Sequence, residues 1–300
     1  MSSMVTVVGA GLAGSECALQ LARRGIRVRL IEQRPCHPSP AHHTDGFAEL
    51  VCSNSLKSTK PDSAAGLLKR ELDGMGSYLL AFARQSAVPA GGALAVDRER
   101  FSSLVTDAVC SSPLIDVVRQ EALDIPEGPC VIAAGPLCSE SLFAAVERAV
   151  GEGHMSFFDA AAPIVSAESI DRSIAFSQSR YEEGAGDYLN CPMNRDEYET
   201  FIDALLGAAR VIGRDFEQKD LFCACQPVEE VARTGRDAIR FGALKPVGLT
   251  DPRTGHRPWA AVQLRAETAD ALAYNLVGFQ TNLTWPEQRR VFRMIRSEEH

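Results

Sequence analysis

The sequence has no apolar run long enough to cross a membrane as a helix. Its opening residues, MSSMVTVVGAG, show no basic segment ahead of an apolar stretch and a small-residue cleavage site, so no secretory signal is read there. A cytoplasmic protein with no membrane partner is expected. Internal repeats and low-complexity segments are absent. So is a net positive charge: the 300 residues carry a net charge of −8, which gives no global electrostatic case for nucleic acid. A local basic patch on an acidic protein remains compatible with RNA. The chain also lacks paired Cys or His residues at zinc-like spacing. Cys223 and Cys225 form a single C-x-C, and no metal is expected. Nine cysteines without a signal sequence argue against a disulfide framework, because one must be left over. Cys17, Cys110, Cys130 and Cys138 lie in apolar or small-residue segments and read as core fillers.

What is present begins at the first residues. Met4 to Val8 is a β-branched run, as in a buried strand. Gly9-Ala10-Gly11-Leu12-Ala13-Gly14 follows, then a helical pattern from Ser15 to Arg24 with Ala18, Leu21 and Ala22 on one face. Gly25 stops it, and Ile26 to Ile31 is a second strand ending at Glu32. After a proline-rich stretch, helical spacing returns from Ser63 to Ala83, with Leu67, Leu68, Leu72, Met75 and Leu79 on a broad face and a break expected at Gly74 and Gly76. Ala93 to Val96 reads as a strand and Asp97 as the N-cap of a helix to Val109. Ile115 to Val118 and Cys130 to Ala134 read as strands, and Ser139 caps a helix to about Val150. This alternation predicts an α/β class with a doubly wound, Rossmann-like sheet over residues 1–150. Residues 151–275 show fewer helix signals and short strand-like runs, Ile239 to Phe241 and Ala260 to Leu264 among them, and read as an inserted α+β domain. The helix expected from Trp285 to Arg296 lies in a return to the first domain, residues 276–300.

A lone G-x-G-x-x-G is weak. Here a strand precedes it, a helix follows it and an acidic residue closes the second strand. Gly9 allows the tight turn, Gly11 lets backbone approach a pyrophosphate, and Gly14 lets helix pack on strand. The helix N-terminus offers N–H groups and partial positive charge to the phosphates. Ala10, Leu12 and Ala13 complete the loop. Glu32 can accept a hydrogen bond from a ribose hydroxyl. A glutamate here suits FAD or NAD alike, and the position at the extreme N-terminus leans toward a flavin.

Cys52 stands in a polar stretch near Lys57 and Lys60, a setting that favours a partly exposed, stabilised thiolate. Cys225 lies in Phe222-Cys223-Ala224-Cys225-Gln226-Pro227. With these residues the sequence resembles the folate- and FAD-dependent tRNA uracil-5-methyltransferases (TrmFO). The strings that carry the resemblance include Gly9–Gly14, Pro40–Asp45, Glu49–Leu56, Ala65–Lys69, Val88–Asp97, Asp159–Val165, Tyr188–Met193, Lys245–Leu249 and Val277–Thr281. Together they extend over essentially the whole chain to about Arg293.

The resemblance implies an FAD-binding domain and a reaction in which 5,10-methylenetetrahydrofolate supplies a one-carbon unit, FAD carries it and NADPH or NADH supplies electrons. The acceptor it implies is C5 of a uridine in the tRNA T-loop. It makes Cys225 the nucleophile at C6 and Cys52 a second thiol, assisting C5 proton removal or protecting the flavin adduct, with the two roles exchangeable. Cys223 is assigned no role. Lys245 and Arg265 are candidate phosphate contacts. Family members are longer, and the resemblance implies a further glycine-rich segment after Arg296 that walls the flavin, so this chain is expected to be C-terminally truncated. Three rivals stand beside this: a wobble-uridine enzyme of the related flavin class, a ribosomal-RNA branch of the same family, and a nucleotide- or RNA-binding remnant without turnover.

Overall fold

The computed structural model describes residues 4–39, 41–135, 137–151, 162–180, 186–211 and 226–295. Two compact units divide the chain: Met1–Ala87 with Ala93–Phe157, and Val88–Gly92 with Phe158–His300.

In the first unit, β1 (Val5–Val8), α1 (Leu12–Arg23) and β2 (Val28–Glu32) form a βαβ turn of chain. Then come β3 (Ser55–Ser58), α2 (Ala64–Gly74), α3 (Tyr78–Gln85), β4 (Ala87–Val88), β5 (Ala93–Val96), α4 (Arg98–Cys110), β6 (Ile115–Arg119), β7 (Cys130–Ile132) and α5 (Glu140–Val150). The main sheet runs β6-β2-β1-β7, all parallel, with Val5 opposite Val28, Glu32 opposite Arg119 and Thr6 opposite Cys130. A small sheet orders β3-β5-β4. Both faces of the main sheet are covered, which is why β1 reads as an unbroken apolar run. Val7 and Leu30 face a core with Phe47, Leu80, Phe101 and Val105. Val8 and Ile31 meet Leu142 of α5 on the other side.

The helix break expected near Gly74 is real: α2 ends at Gly74, and Gly76 at φ 71° turns the chain into α3. Leu67, Leu68 and Met75 are exposed, so the apolar face expected through them is narrower than their spacing suggested. Cys110 is exposed too and fills no core; Cys17, Cys130 and Cys138 are half-buried, and burial pushes the Cys17 and Cys138 thiols up.

The second unit holds β8 (Ile164–Ser166), β9 (Phe176–Ser177), β10 (Tyr188–Met193), α6 (Arg195–Leu206), α7 (Val228–Thr234), β11 (Ala260–Ala266), β12 (Ala273–Leu276) and α8 (Trp285–Phe292). Its antiparallel sheet orders β8-β12-β11-β10-β9. One face carries Leu189, Cys191, Val262, Leu264 and Leu276 against Tyr198, Phe201 and Ile202 of α6. The alternate residues are polar yet buried: Gln263 Nε2 donates to Asn190 Oδ1 at 2.9 Å, and Asn190 Nδ2 donates to the Gln178 carbonyl at 2.9 Å.

Two expectations change here. Ile239 to Phe241 belongs to a 3-10 helix, Ala238–Phe241, since two apolar residues flanking Arg240 are too few to fix a period. The described residues 276–295 pack within the second unit: Val291, Phe292 and Ile295 share its core with Phe279 and Leu205.

Candidate functional site

The strand order β6-β2-β1-β7 reverses direction between β1 and β7. Open α/β sheets bind ligands at such a switch point, beyond the carboxyl ends of the strands. The glycine turn sits there. Gly9 has φ 95°, and a Cβ on it would lie 2.6 Å from the Ala133 carbonyl oxygen. A Cβ on Gly14 would lie 1.8 Å from the Gly9 carbonyl oxygen, so α1 is held against the turn at a distance only glycine permits. Gly11 differs: a Cβ there would meet nothing within 4 Å. Its φ of −70° would suit any residue. Glycine at this position borders open space.

Helices α2 to α6 are each capped by a side chain, from Ser63, Ser77, Asp97, Ser139 and Asn194 in turn. The N-terminus of α1 has no side-chain cap. Its first-turn amides, Leu12 and Ala13 among them, therefore remain for an anion. A pocket opens over this turn, lined by Gly9, Gly11, Glu32, Arg34, His42 and Gln120 among others.

Glu32 is 5% exposed. Its Oε2 accepts from the Ala10 amide at 2.8 Å; its Oε1 accepts from Arg34 Nε at 2.9 Å and from the Arg34 amide at 3.1 Å. A carboxylate has about four acceptor positions, so one is left on Oε2 for a hydroxyl. Burial alone would raise this carboxyl, but the hydrogen bonds and charge of Arg34, with the Ala10 amide, hold it below the usual carboxylate range. Ala10 thus serves Glu32, while the Leu12 and Ala13 amides stand at the uncapped end of α1. An open glycine, an uncapped helix and a fixed carboxylate fit a dinucleotide whose ribose keeps its hydroxyls.

Cys52 is half-buried in the segment leading to β3. That segment is tied down on both sides. The Ala48 amide donates to the Ala10 carbonyl at 2.9 Å, and Val96 N donates to the carbonyl of fully buried Asn54 at 2.9 Å. Lys57 and Lys60 are exposed. Cys223 and Cys225 lie outside the described residues. Arg265 is buried at 4%, with Nη2 3.5 Å from Asn275 Oδ1, so it is not a surface phosphate contact. Lys245 is half-buried, and its carbonyl accepts from Arg180 Nη2 at 2.7 Å. Sequence reading missed Arg34 and Glu49, whose pairing depends on a fold that brings residues 15 apart together.

Residues 4–299 match the family described as glucose inhibited division protein A. Methylenetetrahydrofolate–tRNA-(uracil-5-)-methyltransferase TrmFO of Geobacter sulfurreducens is 56% identical over 297 residues, 98% of this chain and 68% of that protein. The chain belongs to the GidA family, in its TrmFO branch. The TrmFO of Rubrobacter xylanophilus is also 56% identical, over 97% of this chain and 65% of that protein. This member thus spans about two thirds of the length of the TrmFO proteins it matches. GidA of Aquifex aeolicus has the same fold, with a TM-score of 0.66 at 16% identity over 97% of this chain and 54% of that one.

Proposed function

We propose that this chain carries the flavin site of a methylenetetrahydrofolate- and FAD-dependent tRNA (uracil-5-)-methyltransferase, with NADPH or NADH as reductant and a T-loop uridine as acceptor. The observation that carries the reading is the cradle at Gly11. Backbone on one side and an uncapped helix on the other leave room for a pyrophosphate, and Glu32 stands below it to take a ribose hydroxyl. The named activity of the TrmFO relatives supplies the reaction class. A cytoplasmic location goes with it; among the described residues no helix is long and apolar enough to cross a membrane.

Bound FAD would supply the carrier for the one-carbon unit and the electrons drawn from the nicotinamide. The chain's own groups supply the rest. C5 of uracil is a poor nucleophile, and addition of a thiolate to C6 makes it enolate-like. Cys225 is assigned that addition. Once C5 has gained its carbon, the C5 proton must leave and the thiolate must depart from C6 to restore the ring. Cys52 is assigned to assist the proton's removal. The first-turn amides of α1 and the carboxylate of Glu32 hold and orient the dinucleotide.

The test is Cys225→Ala, assayed beside the native protein. Methylation of a T-loop transcript should fall by about a thousandfold or more, with FAD still bound. Normal turnover in that variant would remove Cys225 from the mechanism.

A further inference from the structure

Arg34 is 4% exposed and joins two carboxylates that belong to different parts of the site. Its Nε reaches Glu32 at 2.9 Å, and its Nη1 reaches Glu49 at 3.0 Å and the Thr44 carbonyl at 3.1 Å. Glu49 in turn gathers the segment before it. Its Oε1 accepts from His43 N at 2.8 Å, and its Oε2 accepts from Thr44 Oγ1 at 2.9 Å and Thr44 N at 3.2 Å. Glu49 is three residues before Cys52. One residue before Glu49, Ala48 takes a φ of 50° and donates its amide to the carbonyl of Ala10. Ala10 also donates to Glu32. The links close a circuit: Ala10 to Glu32, Glu32 to Arg34, Arg34 to Glu49, and Ala48 back to Ala10. The Arg34 carbonyl is itself held by Arg119 Nη1 at 3.0 Å, with the Arg119 guanidinium over the Phe47 ring at 4.3 Å.

We infer that Arg34 is a positioning residue that couples dinucleotide binding at the glycine turn to the placement of the Cys52 thiol. The inference rests on the flavin reading above. A ligand that orders Glu32 acts on one arm of a rigid fork, and the other arm holds the strap that leads to Cys52. Lysine cannot replace it, because one ammonium does not present the planar fork that satisfies both carboxylates. Coupling of this kind is reciprocal and spans about five- to 150-fold.

The test uses the full chain and two variants, Arg34→Lys and Glu49→Gln. Two quantities are read: FAD affinity by flavin fluorescence, and the rate of Cys52 alkylation by a maleimide, mapped by peptide mass, with and without saturating FAD. In the native chain, FAD should change the Cys52 rate about fivefold or more. Glu49→Gln cuts only the strap arm. It should keep FAD affinity within about threefold and abolish the FAD effect on Cys52. Arg34→Lys cuts both and should also weaken FAD about tenfold, as loss of a charge-assisted hydrogen bond does. A merely structural Arg34 would lower the thermal midpoint while leaving the FAD effect on Cys52 intact in both variants, and that result overturns the inference. A native chain that takes up no FAD defeats the flavin reading instead. The strap is then judged without nucleotide: Glu49→Gln must still change the Cys52 rate about fivefold, and an unchanged rate overturns the coupling.

Discussion

Glu32 shows how opposing contributions at a single residue become a pH dependence. Burial pushes its carboxyl up; the guanidinium and amide of Arg34 and the amide of Ala10 pull it down further than burial raises it. The folded pKa therefore lies below the ordinary value of 4.5. Stability from this group is fully present above that value and is lost as pH falls through the lowered folded pKa. Glu32→Gln should cost about 1–3 kcal/mol at neutral pH, because Arg34 and Ala10 lose a charged acceptor. Urea unfolding of both proteins should show that gap closing as the pH is taken down toward 3. A gap that stays constant would mean that the ionised form is not what stabilises. Glu32 itself was legible in sequence, since it ends the second strand after a glycine turn. Its restraint by Arg34 was not. Nothing in the order of residues 32 to 49 says that an arginine will stand between two glutamates. Cys52 was legible as a thiol in a polar stretch, but its two anchors, at Ala10 and Val96, appear only in the fold.

Among the elements, the β1–turn–α1–β2 unit was the most readable, because the change from a β-branched run to helical spacing brackets three glycines. Gly14→Ala tests it. A Cβ 1.8 Å from a carbonyl of the same turn cannot be absorbed by a side-chain rotation. Thermal unfolding should show a loss of about 1–3 kcal/mol or more. A second element test concerns α3. Its first-turn amides, Tyr78 and Leu79, donate to the Glu16 carboxylate at 3.1 and 2.8 Å, and Ser77 Oγ donates to it at 2.9 Å. A carboxylate at a helix N-terminus also meets the positive end of the helix dipole. Glu16→Ala should cost about 1–2 kcal/mol by chemical denaturation; no change would show that water replaces the carboxylate there. Helix α6 was undervalued in sequence although its signals were present. Asn194 and Glu197 form a reciprocal capping box, and Tyr198, Phe201, Ile202 and Leu205 keep helical spacing. Acidic residues between them diluted the apolar pattern. The run at 239–241 misled for another reason: an arginine between two apolar residues alternates like a strand but is too short to fix a period.

For the whole molecule, alternation of strands and helices announced the α/β class, and the parallel sheet with its switch point bears that out. The division of the chain was harder to read. Residues 276–295 carry an ordinary amphipathic pattern, and such a pattern does not say which of two cores it will join. Here Val291 and Phe292 join the second. The chain spans about two thirds of its TrmFO relatives, and the proposed dinucleotide site lies within this span. The open position at Gly11 gives the most direct check, because filling it should spare the fold and block the ligand. The measurement is a titration of the native chain and Gly11→Ala with FAD, followed by flavin fluorescence and by thermal unfolding. The two proteins should differ in stability by no more than about 1 kcal/mol, while the variant binds FAD about tenfold more weakly or worse. A variant that binds FAD as tightly as the native chain, or a native chain that takes up none, would contradict the account.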